Sequence, residues 1–434
     1  MEKRKTVLYQ INPHMFTPQG TLTEAIKLLP HIASIGVNFV YLFSICKADA
    51  SQDRSFWSPR QQQSNLNNPK NPYRIEDYYE IDEDYGGNSA LKAFVQAAHK
   101  QGLKVMLDVV YMHCAPNAKV LQEMPDCVQR DENGEIIYSE YNFPYFNFNN
   151  SKLRAYLIDN MCYFVQQFDV DGYRCDVGDC VPLDFWKEAS SALQKIKPDI
   201  FMLNEGRETS YVASGVFDCN YNLPALVFLD QDLQKVVSEP YKVFAGKTID
   251  ECLKEHYKLP TENGLRQRGI WFIENHDTVT DIGRADLRLG TRICDCLYVY
   301  IFTVGGVPMI YCGEEIADTN AHNMFANKEH NRGYGIDWSN ALLKDGKRRL
   351  ALIKKLSVLY KKEDAFSYGD FAWLESARGT LAYKRTYNGE YISVYIRFEK
   401  GWDKISQEGE ILLSRGYKDG SLRKNGFVIF KKKI

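Results

Sequence analysis

Eight short apolar runs, rich in β-branched residues, alternate with amphipathic helical stretches along most of the chain. Such runs are typical of strands covered on both faces, and the helices are the crossover connections that parallel strands need. Eight strands with crossover helices predict a closed (β/α)8 barrel, the TIM barrel. The predicted strands are 7–11, 37–42, 105–109, 170–174, 200–203, 216–219, 270–273 and 307–311.

The stretch after the first strand predicts a helix with recognisable ends. Thr21 and Glu24 have the spacing of a capping box, in which the two side chains satisfy free backbone amides at a helix start. Apolar residues at positions 22, 26, 29 and 33 share one face, and Gly36 stands where a helix commonly ends. We therefore expect one helix between these signals.

Two stretches break the alternation and indicate further domains. Residues 114–149 are rich in Asn, Pro, Asp and Tyr and exceed the usual length of a βα loop. Beyond about residue 368, short alternating runs typical of antiparallel strands replace the helical pattern. The prediction is an α/β barrel in 1–113 and 150–367, an inserted subdomain after strand 3 in 114–149, and a C-terminal all-β sandwich in 368–434.

The charge balance and the cysteine content indicate which classes of partner and which cellular compartment to expect. The 54 Lys and Arg residues nearly balance the 56 Asp and Glu residues, which argues against nucleic acid or an anionic membrane as a partner. Eleven cysteines without paired short spacings are typical of reduced thiols rather than a disulfide framework. No signal sequence or bilayer-spanning run is visible, so we expect a cytoplasmic protein, although a leader already removed would leave the same pattern.

Polar residues follow four of the predicted strands at the points where those strands end. In a TIM barrel the active site lies at the carboxyl ends of the strands, so these residues are the candidates for chemistry. They are Asp108 and His113 after the third strand, Arg174 and Asp176 at the fourth, Glu205 after the fifth, and Asn275, His276 and Asp277 after the seventh.

The carboxylates of Asp176 and Glu205 predict cleavage of a glycosidic bond. A glycosidase needs two carboxyl groups across the scissile bond, and in a retaining enzyme they lie about 5 to 5.5 Å apart. One βα unit separates the two residues, so we expect them on neighbouring strand ends. Arg174, two positions before Asp176, would keep that nucleophile ionised. Glu205 has no cation beside it in sequence except Arg207, which suits a protonated acid.

Each of these residues also has an ordinary structural interpretation. A single Asp or Glu at a strand end is commonly a helix N-cap or a surface residue, and His113 alone is commonly a structural histidine. Asp108 would give structural support through a buried salt bridge to Arg174. Asp277, with His276, would hydrogen-bond sugar hydroxyls and stabilise an oxocarbenium-like state. The conjunction at four strand ends favours the catalytic interpretation.

Several segments resemble the α-amylase family of glycoside hydrolases. DVVYMH, GYRCDVGD, FMLNEG and FIENHD resemble the four family segments that carry the catalytic residues, and they occur in the same order. YQINPHMF near the start, the run from NPYRIEDYY to KVMLD, and GGVPMIYCGEE at the eighth strand also resemble the family. The resemblance extends over residues 8–313 and implies a retaining TIM-barrel enzyme.

The resemblance also assigns roles to individual residues. Asp176 matches the nucleophile, Glu205 the acid/base and Asp277 the third carboxylate. The residues that match substrate-binding positions are Tyr73, His113, Arg174 and His276. Tyr73 matches the aromatic residue that stacks on the sugar, and on sequence alone it is equally a tyrosine at the edge of the core. Asn275 is expected to give structural support.

Departures from the family pattern concern calcium and the substrate. Met112 stands where the family usually has an asparagine that binds calcium, and Tyr145 stands where an aspartate is common. A thioether is a poor ligand for a hard cation, so we expect no metal and no other cofactor. The Lys-His pair of many starch-cleaving amylases is missing after Asp176, which favours α-glucosidic chemistry over endo-cleavage of a polymer.

The predicted function is hydrolysis of α-1,4-linked glucans or maltooligosaccharides through a covalent glycosyl-enzyme intermediate. The same site would serve a transglycosylase or isomerase, in which a sugar hydroxyl replaces water. A non-catalytic carbohydrate-binding scaffold is a third interpretation. Scaffold chains of this fold have a membrane anchor and have lost their catalytic residues, whereas the catalytic positions of this sequence are intact. We expect an oligosaccharide or polysaccharide α-glucan as the partner, and a monomer.

Overall fold

The eight predicted barrel strands are all present, within three residues of the predicted bounds. The computed structural model describes residues 3–221, 247–257, 268–406 and 409–434. The first ten strands are β1 (Leu8–Ile11), β2 (Phe39–Leu42), β3 (Cys46–Ala48), β4 (Ile75–Ile81), β5 (Lys104–Val109), β6 (Gly172–Cys175), β7 (Phe201–Asn204), β8 (Cys219–Tyr221), β9 (Gly269–Trp271) and β10 (Val307–Tyr311). All of these except β3 and β4 form a closed parallel barrel, in which β10 pairs with β1. The predicted TIM barrel is confirmed.

The register of the strands brings the candidate residues to one rim of the barrel. Asp108 on β5 lies opposite Arg174 on β6. The residues that directly precede Asp176 and Glu205 are paired between β6 and β7. Asp176 and Glu205 therefore leave neighbouring strands at the same level, at the carboxyl ends.

Helices cover the outside of the barrel. The α-helices in the described ranges are Pro13–Phe16, Leu22–Ala25, Leu29–Ser34, Pro59–Gln63, Gly87–Lys100, Lys119–Glu123, Ser151–Phe168, Leu183–Ile196, Thr209–Ala213, Ile249–His256, His276–Asp281, Ala285–Leu289, Thr291–Thr303, Asn331–Tyr334, Lys344–Lys362 and Asp364–Tyr368. None of these described helices combines the length and the apolar character needed to cross a bilayer.

The helix predicted after Thr21 is divided into two pieces. Leu22–Ala25 and Leu29–Ser34 are α-helical, and Ile26–Leu28 between them form a 3-10 turn. Pro30 has no amide hydrogen to donate to the preceding turn, so an uninterrupted α-helix would lose a hydrogen bond there. The predicted start is confirmed in part, because the Thr21 side chain accepts the backbone amide three residues later.

Two long connections lie on the active-site side of the barrel. The connection after β2 contains β3 and β4, an antiparallel pair that the sequence analysis did not predict. The connection after β5 includes residues 114–149, where the subdomain was predicted, and contains the helix Lys119–Glu123 with several isolated β-bridges. One bridge joins His113 to Tyr145, so this connection is bonded directly to the end of β5.

The C-terminal residues form the predicted antiparallel β domain. Its strands are β11 (Asp370–Trp373), β12 (Thr380–Tyr387), β13 (Glu390–Arg397), β14 (Trp402–Lys404), β15 (Glu410–Lys418) and β16 (Ser421–Lys433). They belong to one hydrogen-bonded sheet rather than to the two separate sheets of a sandwich, because the 13-residue β16 bonds to β13, β14 and β15. The sheet packs on the helix Thr291–Thr303 of the barrel.

Candidate active site

A buried arginine lies at the centre of the polar rim. The Arg174 guanidinium donates from Nη1 to Asp108 Oδ1 and to Asp176 Oδ1, both at 2.7 Å. Its Nη2 lies 2.6 Å from Glu205 Oε2. Only 1% of the Arg174 side chain is exposed, so solvent screens these contacts little. One cation therefore binds carboxylates from three adjacent strand ends.

This shared guanidinium holds Asp176 and Glu205 close together. Because Nη1 and Nη2 belong to one planar group, the two acids face each other on the same rim. The predicted salt bridge between Arg174 and Asp108 is present. The neighbours of Glu205 in sequence did not indicate its contact with Arg174, which reaches it from the adjacent strand.

Burial affects the carboxyl groups unequally. The exposed fraction of the side chain is 8% for Asp176 and 24% for Glu205. Burial raises the pKa of Asp176 well above its usual value; Arg174 opposes this shift, and the Glu205 and Asp108 carboxylates add to it. Burial also raises the pKa of Asp108 to about 6, against the attraction of Arg174. Arg174 is the group that favours the ionised forms of Asp176 and Asp108 against this effect of burial.

Asp277 is bound by a different arginine. Arg60 donates from Nη1 to Asp277 Oδ1 at 2.7 Å. Asn275, the N-cap of the helix that follows β9, donates to Asp277 Oδ2 at 3.3 Å. Burial raises the pKa of Asp277, but His276 and Arg60 together lower it more, so the pKa lies well below its usual value. Asp277 is therefore ionised at neutral pH.

Tyr73 and His276 form a stacked pair in the wall of the site. Their ring centroids are 5.6 Å apart and their planes differ by 17°. The Tyr73 hydroxyl donates to Asp108 Oδ2 at 2.9 Å and lies 2.7 Å from His276 Nε2. Gln10 Nε2 donates to His276 Nδ1 at 2.7 Å, so the neutral ring carries its proton on Nε2. Burial lowers the pKa of His276 to about 3, which keeps the ring neutral.

His113 lies in the same wall as a neutral residue. Its Nε2 donates to the Tyr73 carbonyl oxygen at 3.1 Å, and its ring packs on Phe143 with centroids 4.9 Å apart. Burial lowers the pKa of His113 to about 4. Nδ1 is buried and has no hydrogen-bond partner among the described residues, so it is an acceptor that a ligand hydroxyl would satisfy.

A cleft of about 320 Å³ brings these residues together. The predicted residues that line it are Tyr73, His113, Asp176, Glu205, His276 and Asp277. Arg174, Asp108 and Asn275 do not line the cleft and instead bind the carboxylates and hydroxyl that do.

The cleft also contains residues that the sequence analysis did not single out. They are Ser58, Arg60, Asn71, Tyr141, Phe143, Val177, Met324 and Phe325. The aromatic content of residues 114–149 was the available signal for Tyr141 and Phe143. Arg60 had no such signal, because it is 217 positions from Asp277 in the sequence.

The positions where the family usually binds calcium do not fit that ion. Met112 is buried, and its carbonyl oxygen already accepts the amide of Phe146 at 3.1 Å. The Tyr145 hydroxyl donates to Glu140 Oε2 at 3.0 Å. Calcium requires six to eight oxygen ligands, which a thioether and a phenol that donates its hydrogen do not supply. Within the described residues, no group of three His, Cys, Asp or Glu side chains is arranged to hold a metal ion.

Comparison with known proteins identifies relatives among amylases. The chain is 25% identical over 401 residues to a cyclomaltodextrinase of Geobacillus thermopakistaniensis, and 24% identical over 407 residues to an intracellular maltogenic amylase of Bacillus subtilis. These alignments cover 87% and 88% of this chain but 62% of each relative, so the chain spans about three fifths of their length.

Solved structures share this fold. An α-amylase from Lactobacillus plantarum superposes with a TM-score of 0.78 at 22% identity, covering 99% of both chains. A maltogenic α-amylase from Thermotoga neapolitana gives a TM-score of 0.73 at 23% identity, covering 100% of this chain and 97% of that one. The family model for the alpha-amylase catalytic domain matches residues 8–141 and 136–357. The chain therefore belongs to the alpha-amylase family.

Proposed function

We propose that this chain is a retaining α-glycoside hydrolase that cleaves α-1,4-linked glucans or maltooligosaccharides. One observation carries the proposal: the buried guanidinium of Arg174 binds both Asp176 and Glu205 in the cleft. A retaining glycosidase needs two carboxyl groups close enough for one to attack the sugar while the other protonates the leaving oxygen. Two carboxyl groups that lie on neighbouring strand ends and are bound by one guanidinium meet this need.

The two carboxyl groups act in two steps. Asp176 attacks the anomeric carbon, and the bond to the leaving oxygen breaks as Glu205 donates its proton to that oxygen. This step forms a covalent glycosyl ester of Asp176. Glu205, now ionised, then takes a proton from water, and the water oxygen attacks the same carbon and releases Asp176. Asp277 stays ionised and stabilises the positive charge that develops on the sugar ring in both steps.

The relatives and the cleft support an α-glucan substrate. Two relatives carry the names cyclomaltodextrinase and intracellular maltogenic amylase. The aromatic side chains of Tyr73, Tyr141 and Phe143 line the cleft, and sugar rings pack well on aromatic faces. The mechanism uses side chains alone and needs no calcium or other cofactor.

Hydrolysis of maltotriose and longer maltodextrins tests the proposal. Asp176→Ala and Glu205→Gln should each lower kcat/KM by about 10³-fold or more, because each removes one of two interdependent groups. Asp184→Ala is the matched control, because Asp184 is exposed and pairs with Arg154 away from the cleft. NMR of the first product should show the α-anomer. Full activity in the Asp176 variant, or a first-formed β-anomer, would contradict the proposal.

The same incubation distinguishes water from sugar as the acceptor. Hydrolysis of maltotriose gives only shorter products, whereas transfer to a sugar hydroxyl also gives maltooligosaccharides longer than the substrate. We expect hydrolysis to dominate when maltotriose is dilute, since transfer requires a second substrate molecule. Longer products as the main species under dilute conditions would assign the site to a transglycosylase.

We also infer that the protein works in a reducing compartment, the cytoplasm. All eleven cysteines are reduced thiols, and nine of them are buried. Burial raises the pKa of several of these thiols, including Cys46 and Cys312, each to about 12, so they remain protonated and unreactive. Fractionation of producing cells should place the protein with the cytoplasmic markers, and recovery among secreted proteins would contradict this inference.

A further inference from the structure

The turn that follows the nucleophile strand is bonded to the loop that carries Glu205. The Val177 amide donates to Glu205 Oε2 at 3.0 Å, and the Gly178 amide donates to the Glu205 carbonyl oxygen at 3.1 Å. Both the side chain and the backbone of Glu205 are therefore held by the residues that directly follow Asp176. The geometry of the two carboxyl groups depends on this contact between neighbouring connections.

Asp179 extends the contact on both sides of Glu205. Its Oδ1 accepts a hydrogen bond from Asn204 Nδ2 at 2.7 Å. Its Oδ2 accepts from the backbone amides of Arg207 at 2.6 Å and Glu208 at 3.1 Å. Charged acceptors form stronger hydrogen bonds than neutral ones, so this carboxylate binds the loop before and after Glu205 at once.

The two connections pack closely at two glycines. A Cβ at Gly206 would overlap the Asp179 carboxylate, and a Cβ at Gly178 would overlap the Asn204 side chain. Asn220 completes the network, because it accepts from Asn204 Nδ2 at 3.0 Å and donates to the Glu208 carbonyl oxygen at 3.0 Å. Glycine at both positions lets the backbones approach to hydrogen-bond distance.

Val177 adopts a strained backbone conformation within this network. Its φ of 40° and ψ of 44° lie in the left-handed region, where a β-branched residue is a genuine outlier. Such a conformation costs about 1–3 kcal/mol and persists only where surrounding contacts enforce it. Here it directs the Val177 amide at Glu205 Oε2, so the strain is coupled to the position of the acid.

We propose, on the basis of the hydrolase function above, that Asp179 is a positioning residue that sets the Glu205 carboxyl for proton transfer to the leaving group. It acts through the loop 204–208 and not by contact with the sugar. Misplacement of a catalytic group by about 1 Å lowers the rate about 100-fold, which is the scale expected when these three hydrogen bonds are lost.

The proposal predicts a dependence on the leaving group. An alcohol leaving group needs the proton of Glu205, whereas fluoride leaves without one, so misplacement of the acid should affect only the former. Asp179→Ala should lower kcat/KM for maltotriose about 100-fold and for α-glucosyl fluoride less than about 5-fold. Because kcat/KM reports the steps up to bond cleavage, later hydrolysis of the intermediate does not enter the comparison.

Two further variants separate positioning from a general loss of structure. Gly206→Ala pushes on the same contact from the opposite side and should show the same leaving-group dependence. In a Glu205→Gln background, Asp179→Ala should cause no further loss with maltotriose, because the group it positions is already gone. Asp184 is an exposed carboxylate on the following helix, so Asp184→Ala should have the same kcat/KM as the wild type with both substrates.

Hydrogen exchange measures the loop independently of activity. In Asp179→Ala, the backbone amides of residues 206–208 should exchange at least about 10-fold faster than in the wild type. Equal losses with both substrates, or a full additional loss in the Glu205→Gln background, would overturn the positioning role. Unchanged exchange at residues 206–208 would also overturn the positioning role, whatever the activity of the protein. Failure of the wild type to cleave either substrate would instead refute the proposed hydrolase function.

Discussion

Replacement of Arg174 by methionine removes the only cation that contacts Asp108, Asp176 and Glu205 among the described residues. Methionine has a similar length and keeps the apolar stem, so the change mainly removes charge and hydrogen bonds. Breaking a buried ion pair by removing one partner costs about 3–5 kcal/mol, because the remaining charge is buried without compensation. We expect a loss of this size in the free energy of unfolding at pH 8.

The loss should become smaller at lower pH. In the wild type, burial already raises the pKa of Asp108 to about 6 and that of Asp176 well above its usual value. Without Arg174 both rise further. A carboxyl whose pKa is higher in the folded than in the unfolded state binds more protons when folded, so its contribution to stability is complete below about pH 4 and is lost as pH rises. Each such proton contributes a slope of about 1.4 kcal/mol per pH unit.

Urea unfolding at pH 5, 6.5 and 8 measures this effect. Arg154→Met is the matched control, because Arg154 pairs with the exposed carboxylates of Asp184 and Glu188. The control should lose about 1 kcal/mol or less and show little pH dependence. A loss for Arg174→Met that is equal at pH 5 and pH 8 would refute the argument that the three carboxylates depend on this one cation. A free energy of unfolding for Arg174→Met that equals that of the wild type at pH 8 would refute the same argument.

Three shorter predictions concern the rest of the cleft. Tyr73→Phe removes the hydroxyl that donates to Asp108 and lies next to His276, so unfolding in urea should show a loss of about 1.5–3 kcal/mol; an unchanged midpoint would contradict it. Arg60→Met should raise the pKa of Asp277, because it removes a cation that lowers this pKa, and NMR titration of the Asp277 carboxyl carbon measures the shift; an unchanged pKa would exclude the pairing as its cause. An excess of chelator should change neither Tm nor activity, because Met112 supplies no calcium ligand; a loss restored by added calcium would contradict this expectation.

The barrel and the placement of Asp176 and Glu205 on neighbouring strand ends were predictable because local signals suffice for both. Each strand is a short apolar run, and the residue that follows it is placed on the rim by the direction of the strand. Asp176 and Glu205 could thus be assigned to neighbouring strand ends before any distance was known. The resemblance to the family added the roles.

The remaining cleft residues could not be predicted because their positions depend on contacts that are distant in sequence. Arg60 reaches Asp277 from a short helix in the connection after β2, and Met324 and Phe325 reach the cleft from beyond β10. The division of the first long helix was a different error. There the apolar periodicity outweighed Pro30, whose missing amide decides the local backbone.

The electrostatics of the acid pair illustrate why sequence neighbours mislead. The sequence spacing indicated that Arg174 pairs with Asp176 and gave no sign of a pairing with Glu205. In the structure the Arg174 guanidinium contacts both carboxyl groups. In the second step of the proposed mechanism, this sharing of Arg174 changes the charge around Glu205. When Asp176 becomes an ester it loses its negative charge, and Arg174 then faces two carboxyl groups instead of three. The attraction of Arg174 is then divided between fewer negative charges, so it acts more strongly on the charge that Glu205 carries after it has donated its proton. A separate cation for each acid would not provide this change of state.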